Sequence, residues 1–268
     1  MSSFMAVWSC PPLHPDARAP IAGERSRTPL RSIPSPGGLT SRCSEMELEH
    51  CDSPVQHPCM PSLVARLGGD GPCRVPRRPG SPAGCCYWNV ADHVAANGGS
   101  RVFGWMLIEV PEVFLFAWHH AVWRSSDGEL LDISGHPITG QANGTTTFVA
   151  DPCQDYDLSW PPAMPQVYEP SIAHPTIAEF IRAYLHLHEL QRAKQEALKL
   201  VPGAYYSPDD GQTRVDNPSG AVAFDQLNRR FDPAIARLDL TRAALVPQLI
   251  AVQSERLKAS SADAYSPG

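Results

Sequence analysis

Between residues 85 and 150 the spacing of apolar positions changes several times, and each change marks an element. Cys86 to Asn97 (CYWNVADHVAAN) puts Val90, Val94 and the Ala91/Ala95 pair at helical spacing, with Gly98-Gly99 as a left-handed terminator. That pattern predicts one short helix. Arg101 to Val110, Val113 to Trp123 and Glu129 to Ser134 are rich in β-branched and aromatic residues and are separated by Pro111-Glu112 and Ser126-Asp127-Gly128, which predicts strands of an antiparallel sheet. Thr145 to Ala150 reads as a fourth strand, and Tyr156 to Pro175 as a proline-punctuated loop. From Pro175 or Thr176 to Leu200, Ile177, Phe180, Ile181, Tyr184, Leu185, Leu187 or His188, Leu190 and Leu198 recur as an amphipathic helix. A Gly/Asp/Pro-rich loop, 202 to 220, then leads to helices over 221–230 and 233–258, and the last ten residues read as frayed.

Composition divides the chain. Of 28 prolines, thirteen fall in residues 1 to 80, where lysine is absent and aromatics nearly so. Such a stretch buries too little apolar surface to offset its ordering entropy, so residues 1–83 are expected to be a disordered Pro/Arg/Ser-rich leader. A start codon at Met46 or Met60 is an equal alternative for that region. Residues 84–258 are expected to form one α+β domain with a C-terminal helical extension, and 259–268 a tail. The first 80 residues carry 9 Arg against 7 Asp plus Glu, so the rest holds a net −8 of the total −6. An acidic folded part argues against a nucleic-acid surface. No window is apolar enough for a membrane span, and the start lacks a basic segment followed by an apolar one, so a cytoplasmic protein is expected. Export by a non-Sec route through the leader is the alternative.

Five of the eight cysteines (Cys10, Cys43, Cys51, Cys59, Cys73) lie in the proline-rich part, leaving Cys85, Cys86 and Cys153 for the core, which fits a reducing compartment. Cys43, Cys51 and Cys59 recur every eight residues without a Cys-x-x-Cys pair, and no metal or cofactor site is expected. His186 and His188 diverge by about 200° on their helix and do not chelate as an i, i+4 pair would.

The informative cluster is Cys86, His119-His120 and Asp132. A thiol attacks as thiolate, and a helix N-terminus beside an imidazolium favours that form. Neighbouring strand residues face opposite ways, so only one of His119 and His120 can serve. A three-residue loop Ser126-Asp127-Gly128 with left-handed Gly128 sets Asp132 opposite Val122 and makes His120 its diagonal neighbour; a two-residue Asp127-Gly128 turn favours His119 instead. The first register is preferred. The candidate catalytic residues are therefore Cys86 as nucleophile, His120 as base and Asp132 as its orienting carboxylate, with His119, Asn89, Trp88 and Trp123 as secondary candidates. Trp105 and Trp118 are further tryptophans that line either a cleft or the core.

Cys86-Tyr87-Trp88-Asn89-Val90 resembles the Cys-x-x-Asn-aliphatic element of N-terminal glutamine amidohydrolases, His120-Ala121-Val122-Trp123 their His-strand, and Leu131-Asp132-Ile133 their Asp step. The same elements resemble uncharacterised bacterial and phage proteins. The resemblance covers about fifty residues, 85 to 135, with a tighter Cys-to-His spacing and nothing similar after Pro152. It implies a papain-like or transglutaminase-like core, the Cys-bearing helix packed on a small antiparallel sheet. It also implies a Cys86-His120-Asp132 amide hydrolase acting through a thioester on a small amide or on a protein or peptide substrate. The alternative is a non-catalytic papain-like binding module of phage or mobile-element origin. A zinc ion on the three residues is a lesser rival, and oligomeric state leaves no mark in the sequence.

Overall fold

The two longest apolar runs pair antiparallel along their whole length, from Ser100 opposite Arg124 to Val110 opposite Phe114. Residues so paired and buried on both faces need partners on both sides, and the rest of the chain supplies them. The computed structural model describes residues 48–81, 85–136, 138, 144–208 and 211–264. Its elements are β1 (Cys51–Asp52), α1 (Met60–Leu67), β2 (Cys73–Ser81), α2 (Cys86–Asn97), β3 (Ser100–Val110), β4 (Phe114–Arg124), β5 (Leu130–Ser134), β6 (Gly144–Ala150), β7 (Val167–Pro170), α3 (Pro175–Lys199), β8 (Ala204–Ser207), β9 (Gln212–Val215) and α4 (Pro218–Ala264). The α+β class is as expected.

The sheet differs from the expected one. Strands β3, β6, β2, β5 and β4 lie in that order, and the β3–β4 pairing closes them into a five-stranded barrel, with β1 and β7 added beside β3 and β4. It is mixed rather than antiparallel, because β2 runs parallel to β5 with Arg77 opposite Asp132. β2 lies in the stretch expected to be leader, and β1 and α1 join it there, so the folded unit begins well before residue 84. Pro76 and Pro79 disguise β2, since proline weakens a ladder except at a bulge; the β2–β5 register shifts between Arg77 and Ser81, where Pro79 sits. The part of the expected leader before residue 48 lies outside the described residues.

One face of the barrel wall turns inward, where Val75, Val102, Val122 and Phe148 from four strands pack together. Gly104 makes room: a Cβ there would lie 2.3 Å from the Phe148 ring and 2.3 Å from the Val149 carbonyl oxygen. On the outer face α2 covers Phe103, Ala121 and Ile133 with Val90, and α1 covers Trp105, Leu107, Leu115 and Val149 with Met60, Leu63 and Leu67. The other face of the far half of the β3–β4 hairpin packs on the helices α3 and α4, with Phe114 and Phe116 against Phe180, Tyr184, Leu245 and Leu249. α4 runs unbroken through Pro233, where a break between two helices was expected, and through Pro247, and it continues through 259–264, which were expected to be a frayed tail. Packing against α3 outweighs the lost N–H bonds. Two segments expected to be loops also hold strands: β7, which pairs with β4 at Phe114 to Ala117, and the β8–β9 hairpin. Among the described residues no helix is long and apolar enough to cross a membrane.

Candidate active site

The ladder on the outer side of β4 is interrupted. β5 pairs with it at Trp123 and Arg124, and β7 only over Phe114 to Ala117, so among the described residues positions 118–122 have no strand partner on that side. The first turn of α2 fills this window. Tyr87 bonds to β4 through its hydroxyl at His119, and Asn89 Nδ2 donates to Ser134 Oγ on β5 at 3.3 Å. Cys86 precedes both and brings its sulfur within hydrogen-bonding reach of the His120 ring.

Cys86 is the first residue of α2, after Cys85 as N-cap with no side-chain cap and no acidic residue in the first turn. The first N–H closed within the helix is that of Asn89, donating to Cys85 O at 2.9 Å. The N–H groups of the first helical residues point toward the helix start, where the sulfur also sits, as an oxyanion would require. Cys86 is 8% exposed, so only a narrow group can approach it.

His120 faces the barrel interior, beside the apolar layer. The turn places Asp132 within its reach: Gly128 has φ 89°, Gly128 N–H donates to Ser125 O at 3.1 Å and Ser125 N–H to Glu129 O at 2.9 Å, a three-residue loop. With Trp123 opposite Leu131, Asp132 comes next to Val122 and diagonal to His120. His120 Nε2 lies 3.1 Å from Asp132 Oδ1, an ion pair by distance whose angle falls short of a well-formed hydrogen bond. Burial works to lower the His120 value, but the Asp132 carboxylate and then the Cys86 sulfur outweigh it and raise it to about 10. Asp132 is held at about 2. Burial opposes this, but the His120 charge outweighs it, helped by the Thr146 hydroxyl at 2.5 Å and the Ser134 N–H at 3.0 Å.

Three further residues complete the charge balance, and the sequence reading passed over them. Arg77, with a fully buried side chain, lies with Nε 3.5 Å from Asp132 Oδ2, donates to Thr146 Oγ1, and holds Asp52 by two bonds of 2.7 and 3.2 Å. Asp52 in turn lies 3.8 Å from His136 Nε2. Burial lowers His136 to about 4; Asp52 opposes the shift, while Arg77 and His120 add to it. The one available signal was an arginine at period two with Val75 in CRVPR, masked by its prolines.

The secondary candidates separate. His119 points to the opposite face, where Nε2 is 3.2 Å from Asp151 Oδ2 and Nδ1 is 2.9 Å from the Tyr87 hydroxyl. Burial lowers it to about 4 against the pull of Asp151. Asn89 ties α2 to β5. Trp88 stacks on Tyr206 at 5.1 Å and donates to Leu158 O, beside a cavity of about 590 Å³ lined by Trp160, Gln195, Tyr206, Thr213, Phe224 and Ile235. Trp123 is not brought to the site: it clips the opposite end of α2, donating to Gly98 O at 2.9 Å. Trp105 and Trp118 belong to the core. Among the described residues no three His, Cys, Asp or Glu side chains group as metal donors.

Comparison with family models, curated proteins and solved structures finds no match. An imidazole that stays charged at neutral pH, interacting with a thiol and with a buried carboxylate, can share its proton with that sulfur and deliver it to a departing amine.

Proposed function

We propose that the protein is a cysteine-dependent amide hydrolase with Cys86 as nucleophile, His120 as proton carrier and Asp132 as the group that orients and charges the ring. What carries this reading is the interaction of the sulfur of a helix's first residue with the ring of His120, whose Nε2 lies 3.1 Å from buried Asp132. The sulfur attacks a carboxamide carbon, forming a C–S bond, while N–H groups at the start of α2 stabilise the oxyanion. The C–N bond breaks as His120 gives its proton to the leaving nitrogen. Water then attacks the thioester, His120 takes a proton, and the acid leaves with the thiolate restored.

The small exposure of Cys86 favours a slender primary carboxamide, such as a glutamine side chain or a small amide, over an extended polypeptide groove. Iodoacetamide is itself a slender primary amide. Mapping its adducts at neutral pH should show Cys86 labelled in preference to the exposed Cys51, Cys73 and Cys153, and ammonia release from glutamine-containing peptides should vanish in Cys86→Ser. A Cys86 that stays unlabelled while those exposed thiols react would favour the non-catalytic module instead.

A further inference from the structure

Tyr87 and His119 are each one residue from a member of the reacting pair: Tyr87 follows Cys86, and His119 precedes His120. Their contact runs parallel to the one between sulfur and imidazole. The Tyr87 hydroxyl lies 2.9 Å from His119 Nδ1 and 3.0 Å from the His119 carbonyl oxygen. We propose that Tyr87 is a positioning residue, whose hydroxyl fixes the first turn of α2 to β4 so that Cys86 meets His120. This rests on the reading of Cys86 and His120 as a reacting pair.

The hydrogens support it. His119 Nε2 faces Asp151 Oδ2, an acceptor, so a neutral His119 carries its proton on Nε2 and leaves Nδ1 to accept from Tyr87. Tyr156 donates to the same carboxylate oxygen at 2.7 Å. Every donor in the chain Tyr87, His119, Asp151, Tyr156 has an acceptor, and the Tyr87 proton is directed at His119. Burial, then the neighbouring Cys86, Tyr156 and Asp151, raises Tyr87 well above the usual phenol value, so it remains a donor.

Packing alone needs no hydroxyl here. The Tyr87 ring sits among Trp88, Phe103 and His119, where a phenyl ring would fit as well. What the oxygen adds is register of helix against strand, and a displacement of about 1 Å at a reacting pair is enough to cost on the order of a hundredfold in rate.

The test is the titration of the His120 ring, followed by NMR in the full-length protein, together with the rate of Cys86 alkylation by iodoacetamide. Cys86→Ala sets the reference, because it removes the sulfur's share of the raised His120 value. Tyr87→Phe should shift His120 down toward that reference and slow alkylation at pH 7 at least tenfold while the protein stays folded. His119→Asn, which retains a side-chain acceptor near the Nδ1 position, should return both readings toward wild type and serves in its own right should Tyr87→Phe not fold. Wild-type titration and alkylation in Tyr87→Phe would overturn the proposal, as would a His120 value unmoved by Cys86→Ala. A shifted titration in a protein that hydrolyses no amide would uphold the positioning role and reject the activity.

Discussion

At the scale of single residues, the buried histidines set opposite limits on stability. His120 has a folded value of about 10 against an ordinary 6.5, so its contribution is fully present below pH 6.5 and is lost as pH rises toward 10. His119 and His136, each lowered to about 4, contribute above pH 6.5 and lose that contribution as pH falls toward 4. Asp132, at about 2, adds a further loss only below its ordinary 3.8. Stability should therefore peak near pH 6.5 and decline on both sides. Urea midpoints between pH 6.5 and 8.5 should fall in the wild type and stay level in His120→Asn; the window stops short of the raised thiol and phenol groups. Parallel slopes for the two proteins would remove His120 as the source of the alkaline limb.

At the scale of elements, the placement of His120 and Asp132 depends on one turn and one glycine. The turn was legible: Ser126-Asp127-Gly128 between two apolar runs carries the residue that a left-handed position requires, and the register follows by counting. Deleting Ser126 should convert the loop to two residues and turn Asp132 to the opposite face of β5. The His120 value should then fall well below 10, which ring titration would detect; an unchanged value would mean that the loop does not set the register. Gly104, paired opposite His120, was not legible as a packing position, because a glycine inside an apolar run says nothing of what approaches it. Gly104→Ala forces a Cβ against the Val149 carbonyl as well as the Phe148 ring, and a backbone oxygen cannot rotate away. We expect a loss of about 3 kcal/mol in urea unfolding, at the upper end of ordinary overpacking.

For the whole molecule, the decisive feature is how far the folded unit extends toward the N-terminus. The sequence indicated the helix, the long hairpin and α3 because their periodicity comes from one-sided or complete burial. It concealed β1, α1 and β2 because their stabilisation comes from distant partners: Leu63 and Leu67 pack beneath β3 and β4, and Arg77 is neutralised by Asp52, 25 residues earlier. Composition averages over such pairs and reports only prolines and arginines. A chain beginning at Met60 would lack β1, and with it Asp52, and the Ser53 carbonyl that accepts from Arg74 and Thr147. Arg77 would then be a buried guanidinium left to Thr146 and to an Asp132 already engaged by His120. Removing one partner of a buried ion pair costs about 3–5 kcal/mol, whereas replacing both by apolar groups is often neutral. Asp52→Asn should therefore lower stability by about 3 kcal/mol, and adding Arg77→Met should recover part of that loss while lowering the His120 titration no further than the loss of Asp132 would. Urea unfolding of the two single variants and the double variant closes the cycle. If Asp52→Asn unfolds within about 0.5 kcal/mol of wild type, the pair is not what joins the proline-rich segment to the barrel, and the loss on starting at Met60 would have to come from the β1 ladder and the Ser53 carbonyl alone.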